Sequence, residues 1–280
     1  MTRPARPHLH QRGFTLLEAL IVISITAILA AVVAVFIRAP VQGYFDSVRR
    51  AELTDTADVA LRRMTRDVRL ALPNSLRVRT DSGVNYIEFI MTSAGGRYRD
   101  PVDGSTGGDF LSFTDSSDRS FDVHGPLPSM APGDFVVVYN LGPGYAPADA
   151  YAGGNRAAID SVAGNTVTLV SNPFAGQSPP LSSPNGRFQV VPAATGAVSY
   201  TCPGATPGNL TRHWAYGFST TQPTTFAGQQ APLAQGGVTC SVAYAPNAGG
   251  RHGLLEVQLT LSANGETVTL AQQIHVDNSP

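Results

Sequence analysis

The sequence predicts an α+β fold, in which a long amino-terminal helix packs on an antiparallel, β-sheet-rich carboxyl-terminal body. Three observations support this prediction. Residues 14–37 form an apolar run, and residues 38–74 carry apolar side chains at helical spacing. From residue 75 to residue 280, short alternating apolar runs are separated by Gly, Pro, Asn and Ser. We therefore expect an apolar helix, an amphipathic helix and a β-rich globular body, in that order.

The apolar run is long enough to cross a membrane. Its 24 residues would extend about 36 Å as a helix, and a hydrocarbon core measures about 30 Å. Glu18 is its only ionisable residue. Because an unpaired carboxylate in lipid costs a few kcal/mol, we expect Glu18 to have a partner.

The residues before the run predict its orientation. They include Arg3, Arg6 and Arg12 and no acidic residue, which favours a cytoplasmic amino terminus and an exported body. Such a segment could be a removable secretory signal, a plain membrane anchor or a processed assembly helix. The run is longer than a secretory signal requires, and a plain anchor does not explain Gly13 or Glu18.

The amphipathic segment carries one apolar stripe. Its members are Leu53, Ala57, Leu61, Met64, Val68 and Leu72. This spacing predicts a helix with one buried face. The other faces are rich in Arg, Asp and Glu without interleaved aromatic residues, which indicates a solvated surface rather than a nucleic-acid groove. We expect Pro40 and Gly43 to kink or break the junction between the two helices.

The body contains candidate strands and turns typical of antiparallel pairing. The predicted strands are residues 85–91, 110–113, 134–140, 157–162, 166–170, 187–191, 197–201, 212–217, 238–245, 254–263 and 267–276. Asn264-Gly265 and Gly164-Asn165 have the composition of two-residue hairpin turns. Residues 93–108, 141–154 and 172–186 are expected to be surface loops, where binding functions concentrate.

The two cysteines predict a single disulfide in an exported body. Cys202 and Cys240 are 38 positions apart, and closing such a loop stabilises a fold by about 4 kcal/mol in the chain-entropy model. Two free buried thiols are the alternative. A metal site is disfavoured because neither residue has a second Cys two to four positions away.

Composition and motifs predict a protein that is not an enzyme and uses no cofactor or metal. The net charge is −1 and only 14% of residues are charged, which does not favour a nucleic-acid binder. No serine-hydrolase or zinc-protease motif occurs. The acidic residues Asp100, Asp103, Asp109, Asp115 and Asp118 do not follow the spacing of a calcium-binding loop, so we expect them to be solvated.

Residues 13–21, Gly-Phe-Thr-Leu-Leu-Glu-Ala-Leu-Ile, resemble the prepilin signature of type IV pilins and type II secretion pseudopilins. The resemblance implies that prepilin peptidase removes a leader, residues 1–13, by cutting between Gly13 and Phe14, and then N-methylates Phe14. It further implies that Glu18 attracts the new amine of a neighbouring subunit and sets the register of assembly. A disulfide near the carboxyl terminus is also common in pilins.

Several further segments resemble the MshO family of minor pilins, which serves biogenesis of the mannose-sensitive haemagglutinin (MSHA) pilus. They are residues 39–45, 49–53, 60–64, 71–75, 95–99, 210–214 and 275–280. The resemblance implies a low-copy subunit that helps initiate, assemble or cap a type IV pilus and contributes to adhesion and motility. Its implied partners are prepilin peptidase, other major and minor pilins, the inner-membrane assembly platform and membrane lipid.

The implied location is the inner membrane, crossed once with the body in the periplasm, and then the pilus. Two alternatives remain open at this point. One is a minor pseudopilin of type II secretion, and the other is a tip adhesin that binds surface ligands through the long loops.

Overall fold

The computed structural model describes residues 13–100, 107–247 and 252–280. The chain divides into two compact units, one ending at Ala51 and the other running from Glu52 to Pro280. The predicted leader before Gly13 and the acidic residue Asp103 lie outside the described residues. The described chain has the layout of a long amino-terminal helix followed by a sheet-rich body.

Helix α1 spans Leu16–Arg69 and passes through Pro40 without interruption. The helix therefore does not break at Pro40 or Gly43, and of the expected kink or break the break is wrong. A proline removes one backbone donor, and the helical bonds of the neighbouring turns hold the backbone together across that gap. The Gly43 carbonyl also accepts a hydrogen bond from the hydroxyl of Ser47 at 2.8 Å.

The last turns of α1, from Glu52 onward, bury an apolar stripe in the second unit. The buried residues on these turns are Ala57, Ala60, Leu61, Met64 and Val68, with Leu53 partly buried beside them. They pack with buried residues of the larger sheet, as the period of the stripe predicts. Leu72 lies beyond the helix and packs in a different cluster, with Ile90 and Val191.

The body consists of two antiparallel sheets. In chain order, the strands are β1 (Arg77–Asp81), β2 (Val84–Ile90), β3 (Ala94–Arg97), β4 (Ser120–Asp122), β5 (Phe135–Val138), β6 (Arg156–Ala163), β7 (Thr166–Leu169), β8 (Arg187–Val191), β9 (Ala197–Pro203), β10 (Gly208–Trp214), β11 (Gln229–Ala245), β12 (His252–Ala263) and β13 (Glu266–Asp277). The larger sheet has the order β1-β2-β9-β10-β11-β12-β13, and the smaller sheet has the order β3-β8-β5-β6-β7-β4.

Both predicted hairpins are present. Ala263 pairs with Glu266 across Asn264-Gly265, and Ala163 pairs with Thr166 across Gly164-Asn165. Asn264 and Gly265 both have positive φ, at 52° and 86°, as a two-residue type I′ turn requires.

Several strand predictions need correction. Strands β1, β3 and β4 were not predicted, and β11 begins at Gln229 rather than residue 238. Residues 110–113 form no strand, although Leu111 is buried, and its backbone N–H donates to the Arg99 carbonyl at 3.2 Å. Strand β10 ends at Trp214 rather than residue 217 because Ala215 and Gly217 have positive φ, which ends an extended strand.

The smaller sheet has its own core, and all three expected surface loops contribute to that sheet or its core. Ala148, within residues 141–154, is buried in this core. Phe174 and Leu181, within residues 172–186, are fully buried in this core. The segment predicted as a loop at residues 93–108 contains the edge strand β3. The small sheet needs apolar cover on its exposed face, and the sequence spacing of these loops does not reveal which of their residues provide it.

Candidate functional site

Helix α1 begins with a side-chain cap. The hydroxyl of Thr15 accepts a hydrogen bond from the Glu18 backbone N–H at 3.2 Å, and the Thr15 carbonyl accepts one from Ala19 at 3.1 Å. Thr15 is thus the N-cap residue and Glu18 occupies the third helical position, which is the residue pattern of a capping box with the bond to the Thr15 hydroxyl formed. A carboxylate in the first turn also interacts favourably with the helix dipole.

Gly13 precedes this cap in open surroundings. A Cβ atom added at Gly13 would meet no heavy atom of the described residues within 4 Å, apart from its chain neighbours, and the φ of Gly13 lies outside the range that requires glycine. Phe14 next to it is 72% exposed. The fold itself therefore does not require glycine at position 13, so any requirement for a small residue must come from a molecule that acts on this bond.

The apolar part of α1 is exposed and is not covered by other described residues. The most hydrophobic 18-residue stretch of the helix is 0% buried. The hydroxyls of Ser24 and Thr26 donate to the carbonyls of Leu20 and Val22 within the helix, so they do not need water as a partner. This segment is long and apolar enough to cross a membrane and is compatible with membrane anchoring.

The same helix surface carries four small residues. Ala27, Ala30, Ala31 and Ala34 are all exposed. Small side chains allow membrane helices to approach one another closely. The surface can therefore pack either against lipid or against a similar helix.

A buried ionic cluster fixes the last turns of α1 to the larger sheet. Asp67 accepts hydrogen bonds from Arg212 Nε on β10 at 2.6 Å and from the Tyr200 hydroxyl on β9 at 2.8 Å. Arg63 Nε lies 3.1 Å from the other oxygen of Asp67. Burial, followed by the nearby Asp67 charge, raises the pKa of Tyr200 well above its ordinary value. The tyrosine therefore stays protonated and acts as a donor to the carboxylate.

A second buried cluster lies around Glu88 on β2. Arg77 Nε donates to Glu88 at 2.7 Å, and the Tyr216 hydroxyl donates to the other carboxylate oxygen at 2.9 Å. Arg77 also donates to the carbonyls of Ser219 and Thr220. Burial raises the pKa of Glu88 above its ordinary value, and the hydrogen bond from Arg77 offsets part of this rise. Through Tyr216 and Arg77, the cluster holds the segment after β10 against the sheet.

The disulfide joins Cys202 on β9 to Cys240 on β11, with Cα atoms 5.8 Å apart. Both residues belong to the core that packs against α1. The amide of Asn85 donates to the Cys240 carbonyl at 3.1 Å, which ties β2 to the same place. The bond therefore links strands that are distant in sequence beneath the helix.

We expect protein purified from an oxidising compartment to contain no free thiol. Alkylation of the unfolded chain should modify neither cysteine without reductant, and should add two groups after reduction. Mass spectrometry of the intact chain measures both states. Double modification without reductant would contradict the bond.

His213 on β10 occupies a packed position. Its ring stacks on Phe226 with centroids 4.3 Å apart, and its Nε2 lies 3.1 Å from the Thr201 hydroxyl. Burial lowers the pKa of His213 below its ordinary value. Among the described residues, no cluster of three or more His, Cys, Asp or Glu side chains could hold a metal ion.

This histidine should make stability depend on pH. Since the pKa is lower in the folded chain, the unfolded chain binds more protons between the lowered value and about 6.5. The free energy of unfolding should therefore fall as the pH decreases through this window. Urea unfolding at pH 7.5 and pH 5.5 should show a larger loss for the wild type than for His213→Gln, and equal losses would contradict the assignment.

The predicted loop at residues 141–154 borders an open cleft. Tyr145, 64% exposed, lies on this cleft with Pro143, Tyr244 and Pro246, and Asn74 and Asn278 provide amide groups. Asn278 Oδ1 accepts a hydrogen bond from the Asn74 backbone at 3.2 Å. The loop lies only partly on the surface, because Ala148, Asp149, Ala150 and Tyr151 are buried.

Most of the predicted acidic group makes local polar contacts. The Asp115 carboxylate accepts hydrogen bonds from the backbone and hydroxyl of Ser117, and Asp109 accepts one from the Ser120 hydroxyl. Hydrogen bonds from Ser117 lower the pKa of Asp115. These carboxylates shape turns and do not converge on one point.

The comparisons with known proteins concern the amino-terminal segment. Residues 9–34 match a family model described as a prokaryotic N-terminal methylation motif. No curated protein and no solved structure matches the chain. The matched residues contain Gly13, the cap at Thr15, Glu18 and most of the apolar run. The amino-terminal segment is thus a prepilin-type methylation motif, and it supports membership of a type IV pilin-like family.

Proposed function

We propose that the chain is a minor pilin that helps initiate, assemble or cap an MSHA-type type IV pilus. The observation that carries the proposal is the N-terminal methylation motif at residues 9–34. The motif includes most of the apolar part of α1, which is exposed. Cleavage ahead of that helix leaves it attached to the exported body. The helix is then free to leave the lipid and pack into a bundle of similar helices.

The residues around the cleavage position have distinct roles in this proposal. Gly13 leaves the scissile bond open to prepilin peptidase, and Phe14 becomes the methylated amino terminus. The new ammonium group lies next to the positive end of the α1 dipole, which is unfavourable. Glu18 of an adjacent subunit would neutralise that ammonium, and the pairing would replace two isolated charges in an apolar place.

Glu18→Gln should impair assembly and leave cleavage intact. Glutamine keeps the length and capping ability of the side chain but removes the charge that pairs with the neighbouring amine. Counts of surface pili and the mass of the mature protein measure the two steps separately. Asp46→Asn, the same loss of charge at an exposed pair later in α1, should assemble normally. Wild-type piliation by Glu18→Gln would refute the role in register.

The finer assignment to an MSHA minor pilin rests on the resemblance in segments outside the motif. Three of these segments, residues 71–75, 210–214 and 275–280, provide contacts that hold the body together. Asn74 and Asn278 are linked through a backbone hydrogen bond, and Arg212 binds Asp67. Partners in this proposal are prepilin peptidase, the other pilins and the inner-membrane assembly platform, with the body in the periplasm before assembly.

The direct test is the amino-terminal sequence and mass of the mature protein. We expect it to begin with N-methylated Phe14, and any other first residue would overturn the proposal. Type II pseudopilins share the motif, so a deletion strain separates the two systems. Loss of surface pili with normal secretion supports a minor pilin, whereas the reverse supports a pseudopilin.

A second candidate, a tip adhesin, is favoured by the cleft beside Tyr145. Exposed tyrosine and proline rings next to amides can stack on a sugar ring and bond its hydroxyls. Purified full-length protein would be applied to immobilised glycans. Saccharide binding that Tyr145→Ala reduces, and Tyr44→Ala does not, would support adhesion, and no binding would argue against it.

A further inference from the structure

One edge of the larger sheet differs from the other three sheet edges in the described chain. The edge strands β1, β3 and β4 are 5, 4 and 3 residues long. The edge strand β13 is 12 residues long, and its register with β12 runs without interruption from Asp277 to Glu266. Proteins usually protect long edges with proline, lysine or a bulge, because an open edge pairs with other chains. None of these devices occurs in β13.

The turn before β13 determines which backbone groups face outward. Because Asn264-Gly265 is a two-residue turn, Ala263 and Glu266 form the hydrogen-bonded pair that closes the hairpin. Hydrogen-bonded and non-hydrogen-bonded pairs alternate along an antiparallel ladder. The odd-numbered residues from 267 to 275 therefore direct their N–H and C=O groups away from β12, toward the open edge.

A basic groove lies between this edge strand and the end of α1. It is lined by Arg62, Thr65, Arg66, Arg69, Leu70 and Gln272. Arg62 is paired with Asp58 at 2.7 Å. Arg66 and Arg69 are exposed, and neither has an ion-pair partner among the described residues.

A strand added to β13 would direct every second side chain to the helix side of the sheet, where this groove lies. Carboxylates at those positions would reach Arg66 and Arg69. On the other face, β13 presents the exposed, uncharged side chains of Thr267, Thr269, Ala271 and Gln273, followed at its end by exposed His275 and Asp277. The edge thus favours a strand that is acidic on one face and neutral on the other.

We propose that β13 binds an extended segment of a different protein chain, one with Asp or Glu at every second position, as an eighth strand of the larger sheet. A second copy of β13 does not fit, since its acidic residues, Glu266 and Asp277, lie only at its ends. The surface is separate from the methylation motif, so it extends the proposed function without depending on it.

The test uses full-length protein in detergent micelles and a synthetic probe, the octapeptide (Glu-Val)4. Fluorescence anisotropy of the labelled peptide gives the Kd, and hydrogen exchange locates the protected amides. We expect exchange to slow selectively at the odd-numbered residues from 267 to 275. The double variant Arg66→Glu, Arg69→Glu should weaken binding at least about tenfold, since charge reversal replaces attraction by repulsion.

Ala271→Pro is a second variant, because it removes an outward N–H without removing a bond to β12. It should also weaken binding about tenfold. Arg187→Glu, a single charge reversal on an exposed residue of β8, and the peptide (Lys-Val)4 are the controls. Arg187→Glu should bind normally and the lysine peptide should not bind.

Several outcomes would overturn the proposal. Absence of binding, or protection of amides outside β13, would exclude strand addition. Equal binding of the lysine peptide would exclude the preference for an acidic strand. Concentration-dependent protection of β13 without peptide would assign the edge to a second copy of this chain instead. The exposed arginine variants keep the test decisive if Ala271→Pro proves unfolded.

Discussion

Gly13→Leu is expected to leave the chain uncut, with its leader attached. The structure separates this effect from folding, because among the described residues a Cβ at Gly13 meets no heavy atom within 4 Å beyond its chain neighbours. A bulky side chain at this position would instead collide with the peptidase that must approach the bond. Displacing the scissile bond by about 1 Å can slow a reaction about 100-fold or more, so we expect no mature form to accumulate.

The measurement is the intact mass of the membrane-associated protein. Gly43→Leu is the matched control, because a Cβ at Gly43 also meets open space, and that position is remote from the cleavage bond. The control should yield the normal mature mass. A mature form of Gly13→Leu in normal amount would contradict the assigned cleavage position.

Asp67→Asn is expected to lower the free energy of unfolding by about 3–5 kcal/mol, the cost of removing one partner of a buried ion pair. Asp67 is 3% exposed and Arg212 is 7% exposed. The substitution keeps the shape of the side chain but leaves the Arg212 guanidinium buried without its counter-charge. The Tyr200 hydroxyl loses its charged acceptor as well.

Denaturant unfolding of the full-length chain in detergent, followed by near-ultraviolet circular dichroism of the body, measures this loss. Asp58→Asn is the control, since the pair of Asp58 with Arg62 is exposed and such pairs contribute about 0–1 kcal/mol. Equal losses for the two variants would show that the buried cluster does not hold the helix to the sheet.

The sequence predicted features that depend on neighbouring residues. The stripe on the last turns of α1 follows from helical periodicity, and the Asn264-Gly265 hairpin follows from turn chemistry. The sequence did not predict the continuation of α1 through Pro40, because neighbouring turns outweighed one lost hydrogen bond. Nor did it reveal that Phe174 and Leu181 would close the smaller core.

The buried charge clusters carried no sequence signal. Arg63 is four residues from Asp67 on the same helix, but Arg212, which binds Asp67, is separated from it by 145 positions. Glu88 and Tyr216 are separated by 128 positions. A spacing rule applies to one helix or one hairpin, so it cannot identify partners that only the packed sheet brings together.

The sequence by itself determined the methylation motif, the apolar helix and the alternating strands, because each depends on residues within a few positions of one another. Only the tertiary structure decided that Asp67 is buried against β9 and β10, and that β13 is left as a long open edge beside Arg66 and Arg69. Burial and strand order arise from contacts between distant parts of the chain, and those contacts convert ordinary surface residues into buried anchors or an accessible edge.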